Sequence, residues 1–268
     1  MKKILSVLLC LCLMFCSCLT VNANSVVKEN NPTILSESAV SKLKEDYDLT
    51  SEVGKKEYLR KVFNNIGVDE KYVNLLKGDL LDDFVNSEKY GCKVTEPENK
   101  GGVSLLNSGS TDDYDNGMHL VIVWSKTGDE YAIMGACEWY SLPVMRWNDI
   151  ISIDLGAGSI VNGSQALVIQ YEHEDVLYEE SYSYLNSEYI GEATKCVFQF
   201  DVPELMDSLV VAIGYNIKNE SIYNTIYLQY FHNLFPWDLS IGISIEVVGI
   251  SVTPGINNVP YGLQCGTA

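Results

Sequence analysis

The spacing of apolar residues changes once along this chain, and the change divides it. From Thr33 to about Asn86 they recur every three or four positions, as in Tyr58, Leu59, Val62, Phe63 and Ile66, then Tyr72, Leu75, Leu76, Leu80, Leu81 and Phe84. Thr50-Ser51-Glu52 predicts a helix start and Gly67 its end. Asp69 caps the next turn, and Gly78-Asp79 reads as a stop followed by a fresh start. The apolar stripe is narrow, which suits a small helical module leaning on another surface. Residues 91–117 lose all periodicity. Pro97, the Gly101-Gly102 pair and the acidic tip Asp112-Asp113-Tyr114-Asp115-Asn116-Gly117 mark a linker.

From Met118 onward the period is two. Met118 to Trp124 is almost continuously apolar, the pattern of a strand covered on both faces. Leu209, Val211, Ile213, Tyr215 and Ile217 form one face of a long strand. Leu239, Ile241, Ile243, Ile245 and Val247 alternate with small or polar residues, and the phase then slips to Val248, Ile250 and Val252. A slip of one residue moves every side chain to the other face, so a bulge or kink is expected near Val247–Gly249. Further strands are expected over 131–140, 149–155, 176–185, 196–202 and 224–233. Roughly nine short strands with turn signals between them, and no helical crossovers, predict a mainly β fold with an N-terminal α segment. In its fuller form the expectation is an antiparallel β-sandwich at 118–268, preceded by a helical module at 24–90 and the linker at 91–117.

The first 23 residues change the picture by supplying an address. Lys2 and Lys3 precede an apolar run from Ile4 to Cys18, and Val21-Asn22-Ala23 offers small residues for cleavage near Ala23. Export is expected, with lipid anchoring at Cys18 the lesser alternative, since Phe15-Cys16-Ser17 matches a lipidation motif poorly. No second apolar segment approaches about 18 uncharged residues, so no transmembrane span is expected in the mature chain. The formal charge is −18, and losing two leader lysines makes it more negative. Such a chain has no basic stripe for phosphates, which excludes nucleic acid as an expected partner.

Four of the eight cysteines leave with the leader; Cys92, Cys137, Cys196 and Cys265 remain. Cys137 alternates with Ile133 and Trp139, and Cys196 with Phe198 and Phe200, so both read as inward strand positions. Outside the reducing cytoplasm the expected pairs are Cys137–Cys196 and Cys92–Cys265. Four free thiols, the strand pair acting as small core hydrophobes, is the alternative. Their spacing does not suit zinc.

Candidate chemistry is thin. His119 lies on a strand apolar on both faces and reads as a satisfied histidine. His173 sits in Tyr171-Glu172-His173-Glu174-Asp175, where strand alternation would send Tyr171, His173 and Asp175 one way and the two glutamates the other. His232 shares a face with Leu228 and Tyr230. A His-Asp-Ser relay could be assembled from such parts, but neither G-x-S-x-G nor HExxH is present. The tip at 112–117 fails as an EF-hand, with Tyr114 at the third position and Val123 at the twelfth. No cofactor is expected; adventitious calcium between acidic loops stays open. With 36 acids, a glycosidase-like carboxylate pair also stays open. Seventeen tyrosines are many, and Tyr178, Tyr182 and Tyr184 fall on one strand face. Such a row can stack on sugars or lie against a protein partner, or can simply pack across strands.

In outline the chain resembles a loose group of uncharacterised exported proteins from Gram-positive bacteria. The likeness is carried by Gly67-Val68-Asp69-Glu70-Lys71-Tyr72, by Tyr131 to Pro143 with Arg146 and Asp149, by Tyr227 to His232, and by Gly242 to Pro254. It implies the architecture and export, and brings no activity or site residues.

The expected role is therefore non-enzymatic: extracellular or cell-envelope binding, to a wall glycan or a protein, with Tyr178, Tyr182 and Tyr184 as the candidate contact residues. The rivals are a secreted carboxylate-dependent hydrolase and a β-rich membrane-active, toxin-like protein.

Overall fold

A computed structural model describes residues 33–95, 118–139, 148–155, 158–161, 163–183, 195–219, 225–233, 242–245, 250–253 and 258–267. The expected leader with Ala23 and Cys18, the acidic tip, Tyr184, Arg146 and positions 247–249 lie outside them.

The helical part is built as its end signals demand. Helix α1 is Glu37–Lys44 and α2 is Glu52–Ile66. The Ser51 hydroxyl accepts the Gly54 N–H at 3.1 Å, satisfying one orphan donor of the first turn. Gly67 ends α2 in the left-handed region at φ 80°, where a side chain would be strained. Asp69 caps a 3-10 helix over Glu70–Leu75, and α3 follows at Gly78–Asn86. Tyr58, Leu59, Val62, Phe63 and Ile66 of α2 are all buried, as the periodicity requires.

What they are buried against is a sheet. Its strands are β1 (Thr33–Leu35), β2 (Lys89–Val94), β3 (Met118–Thr127), β4 (Glu130–Trp139), β6 (Ser159–Ile160), β7 (Ala166–His173), β8 (Val176–Ser183) and β10 (Ser208–Lys218). The order is β1-β2-β3-β4-β10-β7-β8, with β6 on β10. A second sheet, in the order β14-β11-β5-β9, comprises β5 (Asn148–Asp154), β9 (Lys195–Asp201), β11 (Thr225–Asn233) and β14 (Asn258–Gly266). All recorded pairings are antiparallel.

Two cores follow from strand alternation. Leu120, Ile122, Trp124, Ile133, Val211, Ile213 and Tyr215 share one buried cluster with Ile151, Ile153, Phe198, Leu228 and Tyr230 of the second sheet. Val121, Val123, Ala132, Met134, Ala136 and Ala212, on the opposite face, share the other with the helices. The continuous apolar run of β3 thus has its reason: the strand is covered on both sides, by a sheet and by helices. The fold is mainly β, an antiparallel sandwich with the N-terminal helices layered on its larger sheet.

Several expectations are corrected. The segment expected to be linker from residue 91 opens inside β2, which pairs with β3 from Lys89↔Lys126 to Val94↔Val121. Thr33–Leu35, expected in the helical period, is a strand on the outer edge of β2. The bulge or kink expected near Val247–Gly249 falls outside the described residues; to either side of it, strand β12 (Gly242–Ile245) pairs antiparallel with β13 (Ile250–Thr253), Ile245 standing opposite Ile250. Strand alternation at 171–175 stops at His173, because Glu174 and Asp175 form the β7–β8 turn with φ of 51° and 63°.

Cys92, Cys137, Cys196 and Cys265 are free thiols and buried, so neither expected disulfide is present. Cys92 belongs to the helix-facing core and donates to the Ile66 carbonyl at 2.9 Å, whereas Cys265 belongs to the inter-sheet core. Cys137 and Cys196 do point inward, both into the inter-sheet core, where they fill space as small apolar side chains. Burial pushes the Cys92 and Cys265 thiols up to about 12 and the other two well above their ordinary range, which makes all four poor nucleophiles.

Candidate functional site

A groove of about 730 Å³ lies between the β7–β8 end of the larger sheet and the β9 edge of the smaller one. That volume lies within the range of ligand pockets, roughly 300–1,000 Å³. One wall carries Leu167, Tyr171 and His173 from β7, with Tyr178, Glu180 and Tyr182 from β8. The facing lip carries Gln199, Phe200 and Asp201 from β9, followed by Pro203, Glu204 and Leu205. Strand alternation explains the first wall: positions 178, 180 and 182 share a face, and so do 167, 171 and 173.

The tyrosines sit where a sandwich face reaches its margin. Tyr171 and Tyr182 pack against the inter-sheet core, while Tyr178 is 41% exposed. Tyr171 and Tyr178 are cross-strand partners, their rings stacked at 5.1 Å and 11°. The Tyr182 hydroxyl donates to Glu180 Oε2 at 2.5 Å. That bond holds the phenol neutral, its pKa pushed up to about 12, because ionisation would set a second negative charge beside the carboxylate. The structure thus brings Tyr178 and Tyr182 into one groove and adds Tyr171, whose role the sequence pattern left unmarked. No lysine or arginine lines the groove among the described residues.

Two polar clusters lie elsewhere. In the first, His232 Nδ1 faces Asp149 Oδ1 and Oδ2 at 3.0 and 2.9 Å, and Tyr230 donates its hydroxyl to Asp149 Oδ2 at 2.5 Å. Trp139 Nε1 donates to the Tyr230 hydroxyl at 3.3 Å. His232 and Asp149 are 1% and 0% exposed, and His232 Nε2 is buried with no hydrogen-bond partner. These are two of the three members of a His-Asp-Ser relay, assembled from residues 83 apart in sequence. Both side chains are buried, and their bonds join β5, β11 and β4.

The second cluster ties the 3-10 helix to the sheet. Lys71 Nζ donates to Glu138 Oε1 and Oε2 at 2.7 and 2.8 Å, and Tyr72 donates to Oε2 at 2.8 Å. His119 Nδ1 lies 2.8 Å from the Tyr72 hydroxyl and 3.6 Å from Glu138 Oε2. His119 is thus a satisfied histidine at the sheet margin. Together His119, Lys71 and Tyr72 hold the Glu138 carboxyl at about 2, against an ordinary 4.5. A depressed carboxylate stabilises the fold above its unfolded pKa, and that stability is lost as pH falls through the folded value. Wild-type protein is expected to lose about 1–2 kcal/mol from this group as pH falls from about 4.5 to about 2, after discounting for the half-exposed Lys71. Glu138→Gln, having no proton to bind, loses less over the same interval. Urea midpoints at both ends of that range check it.

Among the described residues no group of three histidine, cysteine, aspartate or glutamate side chains is placed to hold a metal ion. No helix among them is long and apolar enough to cross a membrane.

No family model matches the chain, and no curated protein matches it. Among solved structures it is similar to ACE19, the collagen binding subdomain of the Enterococcus faecalis surface protein ACE. The identity is 6% and the TM-score 0.31, over 53% of this chain and 88% of that one. It is similar also to the C-terminal domain of the Streptococcus agalactiae AgI/II polypeptide BspA, at 8% and 0.31, over 56% of this chain and 59% of that domain. Clostridium perfringens delta-toxin follows at 5% and 0.26, over 66% and 88%. Likenesses this faint carry neither activity nor partner to this chain.

Proposed function

We propose that this is an exported binding protein without catalytic activity, acting at the cell envelope or a host surface through the tyrosine-lined groove. The observation that supports it is the convergence of Tyr171, Tyr178 and Tyr182 on one wall of a groove of about 730 Å³. Tyrosines contribute large contact area at low entropic cost. Export is inferred from the leader pattern at residues 1–23, and the acidic composition suits a soluble exported protein.

The test is co-sedimentation of the purified protein with washed Gram-positive cell walls, with and without calcium. Saturable pelleting is expected, weakened about tenfold or more by the Tyr178→Ala/Tyr182→Ala double variant. Protein that stays wholly in the supernatant refutes the envelope-binding role.

One observation favours a membrane-active reading. The β12–β13 hairpin pairs with neither sheet among the described residues. Its register sets apolar opposite apolar (Ile243↔Val252, Ile245↔Ile250) and small or polar opposite polar (Gly242↔Thr253, Ser244↔Ser251). Length argues against it. Among the described residues each strand is four residues long and reaches about 13 Å, under half of a hydrocarbon core of about 30 Å. Liposomes are therefore expected to retain trapped dye.

A further inference from the structure

We infer that the groove receives a basic, extended polypeptide segment, which adds along the edge of β8 and seats a lysine or arginine among the tyrosines and carboxylates. This rests on the binding role proposed above and supplies the chemistry of the partner.

Charge argues for a cation. The groove offers the carboxylates of Glu180, Asp201 and Glu204 and the faces of three tyrosines, with no lysine or arginine among the described lining residues. Tyrosine faces attract ammonium and guanidinium groups, and a carboxylate beside them completes the site. Glu180 spends Oε2 on Tyr182, and Oε1 has no protein donor among the described residues. The turn next to the groove adds Glu174 and Asp175, with Asp207 accepting the Glu174 N–H at 2.9 Å.

Shape argues for a polypeptide strand. β8 ends the order of the larger sheet, and among the described residues its outer edge pairs with no other strand. Val176, Leu177 and Tyr178 are 50%, 61% and 41% exposed, and Leu205 on the facing lip is 66% exposed. Consecutive strand residues face opposite sides, so Val176 and Tyr178 belong to the groove side and Leu177 to the other. A small ammonium in the groove covers one side only. An added strand alternates in the same way and covers both. Exposed edges are ordinarily guarded by lysine or proline; this one is apolar and acidic, which repels a second copy of a chain of charge −18 and selects basic strands.

The test titrates the full protein against a labelled Lys-Val-Lys-Val-Lys-Val-Lys peptide, its glutamate-for-lysine counterpart, choline and chitotetraose. The lysine peptide is expected to bind saturably and to weaken at high salt. Loss of about tenfold or more is expected with Glu180→Gln/Glu204→Gln and with Val176→Ser/Leu177→Ser, with the thermal midpoint showing each variant folded. Equal binding of the two peptides overturns the inference, as does lysine peptide no tighter than choline. Binding of chitotetraose alone, lost in Tyr178→Ala, overturns it while leaving the groove as the binding site. If nothing binds and wall pelleting ignores Tyr178→Ala/Tyr182→Ala, the groove reading falls as well.

Discussion

Asp149→Ala is expected to cost about 3–5 kcal/mol of stability, because it removes one partner from a fully buried polar cluster. The Asp149 carboxylate takes both the Tyr230 hydroxyl and His232 Nδ1. Without it, two buried polar groups lose their acceptor in a site too enclosed for bulk water to substitute. The loss falls on the join between the two sheets, since Trp139 of β4 reaches Tyr230 of β11 and its ring lies 5.3 Å from the His232 ring. Asp149→Asn separates hydrogen bonding from charge. The amide oxygen can still take the tyrosine proton, but the amide nitrogen then meets an Nδ1–H. Relief requires moving the histidine proton to Nε2, which is buried and has no partner. Asp149→Asn is expected to cost about 1–3 kcal/mol, and Tyr230→Phe about 1 kcal/mol, since the phenol leaves Trp139 one acceptor short. Urea denaturation at neutral pH measures all three. A loss below about 1 kcal/mol for Asp149→Ala would show that the cluster is hydrated and open, and would return the His-Asp pair to the list of candidate catalytic groups.

That cluster also marks where the sequence stopped being informative. Local chemistry was legible: Ser51, Gly67 and Asp69 each act at the end assigned to them, because capping is decided within four residues. Strands with strict alternation or continuous apolar character were legible for the same reason. Strand β2 was not. Lys-Tyr-Gly-Cys-Lys-Val has a central glycine and weak alternation, and it is a strand because β3 and the helices need it covered. β14 holds Pro260 and Gly262, residues that read as a turn but are tolerated on the edge of a sheet, where Pro260 stands opposite Phe231. Tyr178 and Tyr182 could be singled out from their spacing alone. The groove could not, because its facing lip comes from β9 and residues 203–205, set opposite only by the packing of two sheets. Asp149 and His232 were equally invisible as a pair, each an unremarkable residue on its own strand.

The glycine that hid β2 supports the second large prediction: Gly91→Ala destabilises the protein by about 2–3 kcal/mol. Gly91 pairs directly with Trp124 across the β2–β3 ladder, and the indole lies over it. A Cβ at position 91 would stand 2.4, 2.5 and 2.8 Å from Trp124 Cζ2, Cε2 and Nε1, far inside contact distance. A leucine could swing a terminal methyl aside; an indole is rigid, is fully buried, and packs against Tyr131 at 6.0 Å. Tilting it would open the inter-sheet core on one side while crowding it on the other. The backbone at Gly91 has no positive φ, so conformational strain adds nothing and the whole penalty is overlap. This makes the effect separable. Trp124→Leu alone is expected to cost about 3 kcal/mol through the cavity it leaves. In that background Gly91→Ala places its methyl group in the vacated space, and its own cost should fall to near zero. The two changes together would then be about 2 kcal/mol better than the sum of the single variants, a coupling of the size seen for residues in direct contact. Strict additivity would mean that the indole does not lie over Gly91, and the close approach of β2 to β3 at this pair would need another cause.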